Sequence, residues 1–248
     1  MAPLTMLLLI GLMVCTSLLS GIFGMAGGMV LIGVLILLLP LPEAMALHAV
    51  TQMASNGWRS LLWLKHVRWR IVVAYVVGCA AAITLWSLVR FVPGKPLALI
   101  MLGVSPFLLH LLPHRMKPDA ESPVQGAAYG VASMSLMLVT GVAGPLLDSF
   151  FLGGKLDRRG IIATKAGCQV FGHSMKLLYF GGLIDQAAGV DPWLAAGAVL
   201  ASMTGTMLAK PVLEKLSDVQ FKRWAGRLVT TIASYYIAQG VWLWVWPQ

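Results

Sequence analysis

The sequence predicts an all-α polytopic membrane protein built from two inverted repeats. Each repeat is expected to contain a glycine-broken re-entrant helical hairpin and three transmembrane helices. Three observations predict this fold: the composition, two glycine breaks that are followed by the same order of apolar segments, and the positions of the basic residues.

The composition is typical of a chain that lies almost wholly within a membrane. Of the 248 residues, 58% are hydrophobic and 11% are charged, and the mean hydropathy is +0.83. Soluble domains carry about 25% charged residues and roughly 45–50% apolar ones. These values exclude a soluble globule, a disordered chain and a disulfide-rich secreted domain. The net charge of +9 is interpreted as Lys and Arg of cytoplasmic loops rather than as a nucleic-acid-binding surface.

The first repeat is predicted over residues 1–112. An apolar run from Pro3 is broken by glycines and resumes as a short arm, Met29–Leu39. Eleven residues rise by about 16 Å, roughly half of the ~30 Å hydrocarbon core, so this arm cannot cross the membrane alone. Residues 3–39 are therefore predicted as a re-entrant hairpin. Three segments of spanning length follow, over residues 44–64, 71–92 and 97–112.

The second repeat is predicted over residues 124–248, after a hydrophilic linker at 113–123. Its segments come in the same order, as a hairpin over 124–153 and helices over 160–183, 192–208 and 227–246. The last helix ends in the sequence WLWVW, an aromatic cluster suited to a membrane interface.

One constant offset aligns the two halves. The break Gly24-Met-Ala-Gly27-Gly28 matches Gly141-Val-Ala-Gly144-Pro145, which lies 117 residues later. The same offset aligns two polar stripes, in which His48, Gln52, Ser55, Asn56 and Arg59 match Lys165, Gln169, Gly172, His173 and Lys176. Each stripe falls within an arc of about 100° on an otherwise apolar helix. The coincidence of breaks and stripes indicates an internal repeat.

The basic residues indicate how the halves are oriented. If every apolar run crossed the membrane, the fifteen basic residues of the loops and helix ends would divide ten to five between the two sides. If the broken segments are re-entrant, only Arg90 and Lys95 lie outside and the division becomes thirteen to two. The positive-inside rule favours the second arrangement. Three crossings per half then invert the repeats, as in transporters that bind substrate near the midplane.

The glycine breaks are predicted to bind an anion. Non-helical backbone at membrane depth is tolerated only where it is buried in protein or lines a polar cavity. The short helix after each break begins with unpaired N–H groups and a positive dipole end, which attract anions. The alternative is that the glycines only permit close helix packing. The predicted binding residues of the breaks are Gly24, Gly27, Gly28, Gly141, Gly144 and Pro145.

Three basic residues lie inside apolar segments: Arg59, Lys165 and Lys176. A basic side chain near the centre of a membrane helix costs about 2.5–3.5 kcal/mol, so it usually has a functional partner. Asp148 is the one embedded acid and cannot neutralise all three, which leaves positive charge for an anionic ligand. Alternatively, Arg59 and Lys176 extend to a membrane interface.

Further polar residues of the stripes are expected to complete the site. Gln52, Asn56, Gln169 and His173 are predicted to contact the substrate, because amide and imidazole N–H groups can donate to an oxyanion. His48, His173 and Asp148 are candidates to carry a proton. The alternatives are that the histidines are hydrogen-bonded core residues and that Asp148 complements the adjacent helix N-terminus.

The sequence predicts no metal site, cofactor or catalytic residue. Cys15, Cys79 and Cys168 lie in apolar runs without a CxxC spacing and are interpreted as small buried hydrophobic residues. The N-terminus lacks the basic region of a secretory signal and is expected to be retained.

These motifs resemble the sulfite exporter TauE/SafE family (4-toluene sulfonate uptake permease). The resemblance rests on the two glycine breaks, on the polar helix after each, and on the loop Lys215-Leu-Ser-Asp218 with Phe221. It implies proton-coupled transport of a small sulfur-containing oxyanion, such as sulfite or an organosulfonate, across the bacterial inner membrane. The chain departs from the family's triple-glycine break at Ala26 and Pro145. The expected partners are the anionic substrate and membrane lipid, without nucleic acid, and a homodimer stays open.

Two other functions compete with transport. An intramembrane enzyme would need a catalytic set, and the sequence contains no HExxH pair, GxSG serine or paired membrane aspartates. A non-transporting subunit of a membrane complex would leave the embedded basic residues and the duplicated breaks unexplained. A secondary transporter is therefore predicted, with the particular anion and the direction of transport left open.

Overall fold

The computed structural model describes residues 3–23, 26–108, 118–152, 156–184, 189–213 and 218–246. Within these ranges the regular structure is helical and no strand occurs. The α-helices in chain order are α1 (Pro3–Phe23), α2 (Ala26–Leu38), α3 (Leu41–Leu62), α4 (Trp69–Val89), α5 (Lys95–Leu108), α6 (Pro123–Thr140), α7 (Gly144–Leu152), α8 (Arg158–Leu178), α9 (Pro192–Leu213) and α10 (Asp218–Val245). A 3-10 turn at Leu64–His66 follows α3, and a π-turn at Tyr179–Leu183 follows α8.

Four of the described helices have both the length and the hydropathy of a membrane span. They contain Leu4–Phe23, Trp69–Val89, Pro192–Ala209 and Arg223–Val245. Helices α3 and α8 are similarly long, at 22 and 21 residues, but their polar stripes lower their hydropathy. The prediction of an all-helical membrane protein is confirmed at this level.

Three helices extend three or more residues beyond their predicted bounds. Helix α3 begins at Leu41 rather than at residue 44, α9 continues to Leu213 rather than ending at 208, and α10 begins at Asp218 rather than at 227. Hydropathy marks only the apolar part of a helix, whereas polar and proline-containing turns can extend it. In α3 the extra turn includes Pro42, and proline is well tolerated in a first turn because no helical N–H is lost.

In two pairs of packed helices, one helix comes from each predicted half and the two helices run parallel. Helix α1 packs on α9, and α4 packs on α6. The contacts that set these directions are Ile10–Gly197 and Gly21–Ala209 in the first pair, and Ala74–Gly126 and Trp86–Ser135 in the second. Small residues at these positions let the backbones approach closely.

In two further pairs, one helix again comes from each predicted half, and the two helices run antiparallel. Helix α3 packs on α8, and α5 packs on α10. The contacts that set these directions are His48–Lys176 and Gly57–Val170 in the first pair, and Pro96–Gly240 and Gly103–Ala233 in the second. The sequence alignment of the two halves predicts that α3 is equivalent to α8 and that α5 is equivalent to α10. The helices of each of these two pairs run in opposite directions where they touch.

The short helix α2 begins beside the middle of α3, the helix that follows it. Helix α2 turns into α3 at Pro40, and the start of α2 lies against the central part of α3. There, Gly28 lies beside the Gln52 amide, and its carbonyl oxygen is 3.1 Å from the His48 ring. Gln52 is the twelfth of the 22 residues of α3. The first break is therefore placed about halfway along a helix of membrane length.

Candidate functional site

A narrow cavity lies between α3, α8 and the two glycine breaks. The part of the cavity that the centre of a water molecule can occupy has a volume of about 20 Å³. The cavity therefore has room for about one water molecule. The lining residues are Gly28, His48, Gln52, Asn56, Arg59, Val142, Ala143, Gly144, Lys165, Gln169 and His173. Eight of the predicted substrate-binding residues, together with the proton candidate His48, are thus brought to one cavity.

The antiparallel packing of α3 and α8 brings the two polar stripes face to face. At one end of the cavity the His48 and His173 rings lie edge to face, with centroids 5.5 Å apart. At the other end, Arg59 of α3 and Lys165 of α8 both line the cavity. The positive charges thus lie toward one end, and imidazole rings lie toward the other.

Three polar atoms of the lining are buried without a hydrogen-bond partner. They are the Asn56 Oδ1, the Arg59 Nε and the His173 Nδ1. The side chains of Asn56 and His173 are buried, with 1% and 2% of their surface exposed. A buried polar atom without a partner is costly, and such groups are expected to be satisfied by water or a ligand. Their presence around one cavity favours a polar ligand there.

Arg59 is oriented by hydroxyl groups from its own helix and from α9. Its Nη2 donates to the Ser55 Oγ at 3.1 Å, and Ser55 in turn shares a 2.8 Å hydrogen bond with Thr206. These bonds leave the Nε free to donate into the cavity. The bond to Ser55 holds one side of the guanidinium group in place. Arg59 therefore presents a fixed donor to an oxyanion. The predicted alternative, a side chain extended to the interface, does not fit this arrangement.

The amide side chains are arranged along the middle of the cavity. The Asn56 Nδ2 donates to the Gln52 backbone oxygen at 2.9 Å, whereas its Oδ1 has no partner. Gln52 lies next to Gly28, and Gln169 lines the cavity from α8. The two glutamines therefore offer amide groups from opposite halves of the chain.

Lys165 forms an ion pair with Asp148 of α7. The Lys165 side chain is 16% exposed and that of Asp148 is 43% exposed. Asp148 also interacts electrostatically with Arg59. One carboxylate thus serves two cations of the cavity, which leaves an excess of positive charge.

Lys176 was predicted to bind the anion, but it lies outside the cavity lining. Its side chain is fully buried, and its Nζ donates to the His48 Nδ1 at 2.8 Å and to the Gly141 carbonyl oxygen at 3.0 Å. The antiparallel packing of α3 on α8 places Lys176 behind His48, with its ammonium group directed at protein acceptors. Sequence periodicity places Lys176 on the stripe but cannot identify these acceptors.

The glycines of the breaks have different structural roles. Gly28 and Gly144 line the cavity, whereas Gly27 packs against α1, where an added Cβ would collide with the backbone of Thr16. Gly141 ends α6 in the left-handed conformation, with φ of +85°, which glycine adopts without strain. Gly24 lies outside the described residues. Gly27 therefore permits close helix packing, which was the alternative interpretation of the breaks, whereas Gly28 lines the cavity.

The second break contributes residues that the sequence did not single out. Val142 and Ala143 both line the cavity beside Gly144. Pro145 lies in the first turn of α7, as its predicted preference for a helix start requires, but it is not part of the lining. The position of Val142 and Ala143 between two glycines of a membrane break was the available signal.

None of the three cysteines is among the lining residues of the cavity. Cys79 and Cys168 are buried, Cys15 is exposed, and all three are free thiols. The interpretation of Cys15 as a buried residue is therefore wrong. Within the described ranges, no three His, Cys, Asp or Glu side chains group as metal ligands would.

The family model described as "Sulfite exporter TauE/SafE" matches residues 7–236 of the chain. The match contains the cavity, both breaks, and helices α2 to α9 in full. No curated protein and no solved structure matches the chain significantly.

Proposed function

Because the chain belongs to the sulfite exporter TauE/SafE family, which is a family of membrane transporters rather than enzymes, we propose that it transports a small sulfur oxyanion. The anion binds in the cavity between α3 and α8, at the level of the two glycine breaks. We assign the inner membrane of a bacterium as the site of this activity. The single observation that carries the proposal is the group of unpaired polar atoms around a cavity with excess positive charge.

The electrostatics of the cavity support an anion as the ligand. Arg59 and Lys165 line it, and among the described residues Asp148 is the acid that opposes their charge. The first turns of the short helices α2 and α7 contribute Gly28 and Gly144 to the lining, so that the positive ends of their dipoles add to the attraction. A net positive site inside a membrane is costly unless an anion compensates it.

The lining supports a compact anion rather than an aryl sulfonate. Apart from Val142 and Ala143, the lining consists of polar, charged and glycine residues, so a benzene ring would have no apolar surface to contact. The described lining of the cavity contains no tryptophan that could stack on such a ring; Trp193 and Trp244, for example, are 80% and 62% exposed. We therefore favour sulfite among the sulfur oxyanions.

Proton coupling is proposed through His173. Its ring lines the cavity and its Nδ1 has no partner, so this nitrogen can bind a proton that accompanies the anion. His48 is a weaker candidate because both of its ring nitrogens are hydrogen-bonded within the protein. Asp148 is engaged by Lys165. The unpaired Asn56 Oδ1 is an acceptor and suits the proton of hydrogensulfite.

The helix pairings support inverted repeats and alternating access. If each helix is replaced by its predicted counterpart in the other half, the pair α1–α9 becomes the pair α6–α4. The pairs α3–α8 and α5–α10 stay the same under this replacement. Equivalent helices run antiparallel where they touch, which is the relation that inverted repeats have. We propose that the halves rock against each other around the cavity.

The loop positions support the proposed topology. The Arg159 guanidinium lies 5.2 Å from the centre of the Trp63 ring, so the loops after α3 and before α8 share one end of the molecule. At the opposite end, the Tyr179 hydroxyl donates to the Phe91 carbonyl oxygen at 2.8 Å. We propose that the first end is cytoplasmic and that the second faces outward.

Titration calorimetry on the detergent-purified protein tests the substrate. We expect saturable binding of sulfite and no comparable binding of 4-toluenesulfonate. Gln169→Leu should weaken sulfite binding about tenfold or more, because it removes a donor to a charged ligand. Gln125→Leu makes the same change at an exposed residue and should have no effect. Tighter binding of 4-toluenesulfonate than of sulfite would overturn the assignment of a compact anion.

A further inference from the structure

A continuous chain of hydrogen bonds joins the two glycine breaks through His48 and Lys176. A carbonyl oxygen can only accept, so the His48 Nε2 carries the proton and donates to the Gly28 oxygen at 3.1 Å. The His48 Nδ1 is therefore unprotonated and accepts from the Lys176 Nζ at 2.8 Å. The same Nζ donates to the Gly141 oxygen at 3.0 Å. We call this chain the His48–Lys176 bridge.

The bridge is the kind of contact that holds a membrane protein in one conformation. Both side chains are fully buried, so water does not compete for their hydrogen bonds. Two of the three ammonium protons of Lys176 are used.

The two ends of the bridge belong to opposite halves of the chain. Gly28 lies in the first break and Gly141 in the second, and His48 and Lys176 come from α3 and α8. The Gly141 carbonyl belongs to the left-handed residue that ends α6, so its direction depends on the local backbone of the break. Any motion that separates the breaks must lengthen or break these bonds.

The bridge also shares a residue with the anion cavity. His48 lines the cavity on one side and binds Lys176 on the other. With the bridge formed, the cavity has room for about one water molecule, which is less than the four heavy atoms of sulfite require. An anion can therefore enter only if residues of the lining move apart.

We propose that Lys176 is a positioning residue that holds the two breaks together through His48, and that this bridge must open for the anion to enter or leave. The proposal rests on the proposed transport function, because it assigns the contact that controls access to the anion site. It differs from the predicted role of Lys176 as an anion ligand. It also explains why a fully buried lysine is directed away from the cavity.

The accessibility of Ala143 to a maleimide tests the bridge without any anion. Ala143 lines the cavity and is fully buried, so a cysteine there should react slowly while the bridge is formed. The experiment uses Ala143→Cys with Cys15→Ser, which removes the exposed native thiol. The parent without Ala143→Cys reports any reaction of Cys79 or Cys168.

Lys176→Met leaves the His48 Nδ1 and the Gly141 oxygen without this donor. It should accelerate labelling of the introduced cysteine about fivefold to hundredfold, the range expected when a buried acceptor loses its donor. Lys176→Arg keeps a cationic donor and should label at nearly the original rate. The matched control is Arg159→Met, which also removes a basic side chain from α8 but at an exposed position outside the cavity lining, and it should leave the rate unchanged. His48→Leu removes the other half of the bridge and should accelerate labelling as Lys176→Met does.

Several outcomes would overturn the proposal. One is an unchanged rate in Lys176→Met, and another is an equal acceleration in Arg159→Met, which would indicate general loosening. Loss of a cooperative melting transition in Lys176→Met and His48→Leu would assign the bridge to folding rather than to access. None of these outcomes depends on sulfite, so they are separate from a failure of sulfite binding, which would overturn the proposed function instead.

Discussion

Gly27 and Gly28 are neighbours at the start of α2, yet alanine at the two positions is expected to have opposite effects. At Gly27 an added Cβ would collide with the backbone oxygen of Thr16 and would lie 2.5 Å from the backbone nitrogen of Ser20. Overpacking a closely packed site typically costs 1–3 kcal/mol. Because backbone atoms cannot rotate away as a side chain can, we expect the upper end, about 3 kcal/mol. For a chain of this size that lowers the melting temperature by roughly 6–12 °C.

At Gly28 an added Cβ would meet only the Gln52 side chain, at 3.5–3.6 Å. This is ordinary van der Waals contact, and alanine is favoured over glycine in a helix by about 1 kcal/mol. The melting temperature of Gly28→Ala should therefore stay the same or rise. The new methyl group would, however, project toward a cavity of about 20 Å³. We expect sulfite affinity to fall about tenfold or more, which corresponds to about 1.4 kcal/mol.

Two measurements on the detergent-purified variants test this contrast. Thermal unfolding followed by tryptophan fluorescence gives the melting temperature, and calorimetric titration gives the sulfite affinity. A loss of stability in Gly28→Ala equal to that in Gly27→Ala would show that both glycines serve packing. Unchanged stability in Gly27→Ala would show that α1 and α2 are not in close contact there.

Two further predictions follow from the packing and from the proposed topology. Gly33→Ala should destabilise the protein by about 1–3 kcal/mol, because its methyl group would overlap the Tyr236 ring; adding Tyr236→Leu should restore most of the lost melting temperature, and no restoration would contradict this contact. In a Cys15→Ser background, an impermeant maleimide added to intact cells should label Gly94→Cys but not Arg159→Cys, since both positions are exposed and we place them on opposite sides. Equal labelling of the two from outside would contradict the inverted topology.

The polar stripes could be predicted from the sequence because they interrupt apolar helices at a helical period. Polar side chains that face lipid are costly, so a membrane helix must direct such a stripe toward protein or a cavity. This reasoning identified Gln52, Asn56 and Arg59 on one helix and Lys165 and Gln169 on the other, and all five line the cavity.

The partners of the stripe residues could not be predicted from the repeat. The constant offset aligns His48 with Lys165 as equivalent positions, but equivalence in a repeat is not contact. Because α3 and α8 are antiparallel, His48 instead touches His173 and Lys176. Only the direction of packing decides which residues meet, and composition and periodicity do not contain it.

The separate roles of adjacent glycines were also beyond the sequence. Gly27 and Gly28 look alike in a glycine-rich break, but successive helical residues point about 100° apart. Gly27 consequently faces α1, and Gly28 faces α3 and the cavity. The sequence predicted that the break approaches something closely, but not that one glycine approaches a helix and the other a binding site.

Uptake of radiolabelled sulfite into proteoliposomes tests the proposed transport most directly. We expect saturable uptake by the unmodified protein and loss of most of it in Arg59→Gln, which removes the cationic donor that Ser55 holds at the cavity. Arg159→Gln removes the same charge from an exposed position and should transport normally. Absence of saturable sulfite uptake by the unmodified protein, or equal uptake by Arg59→Gln, would contradict transport through this cavity.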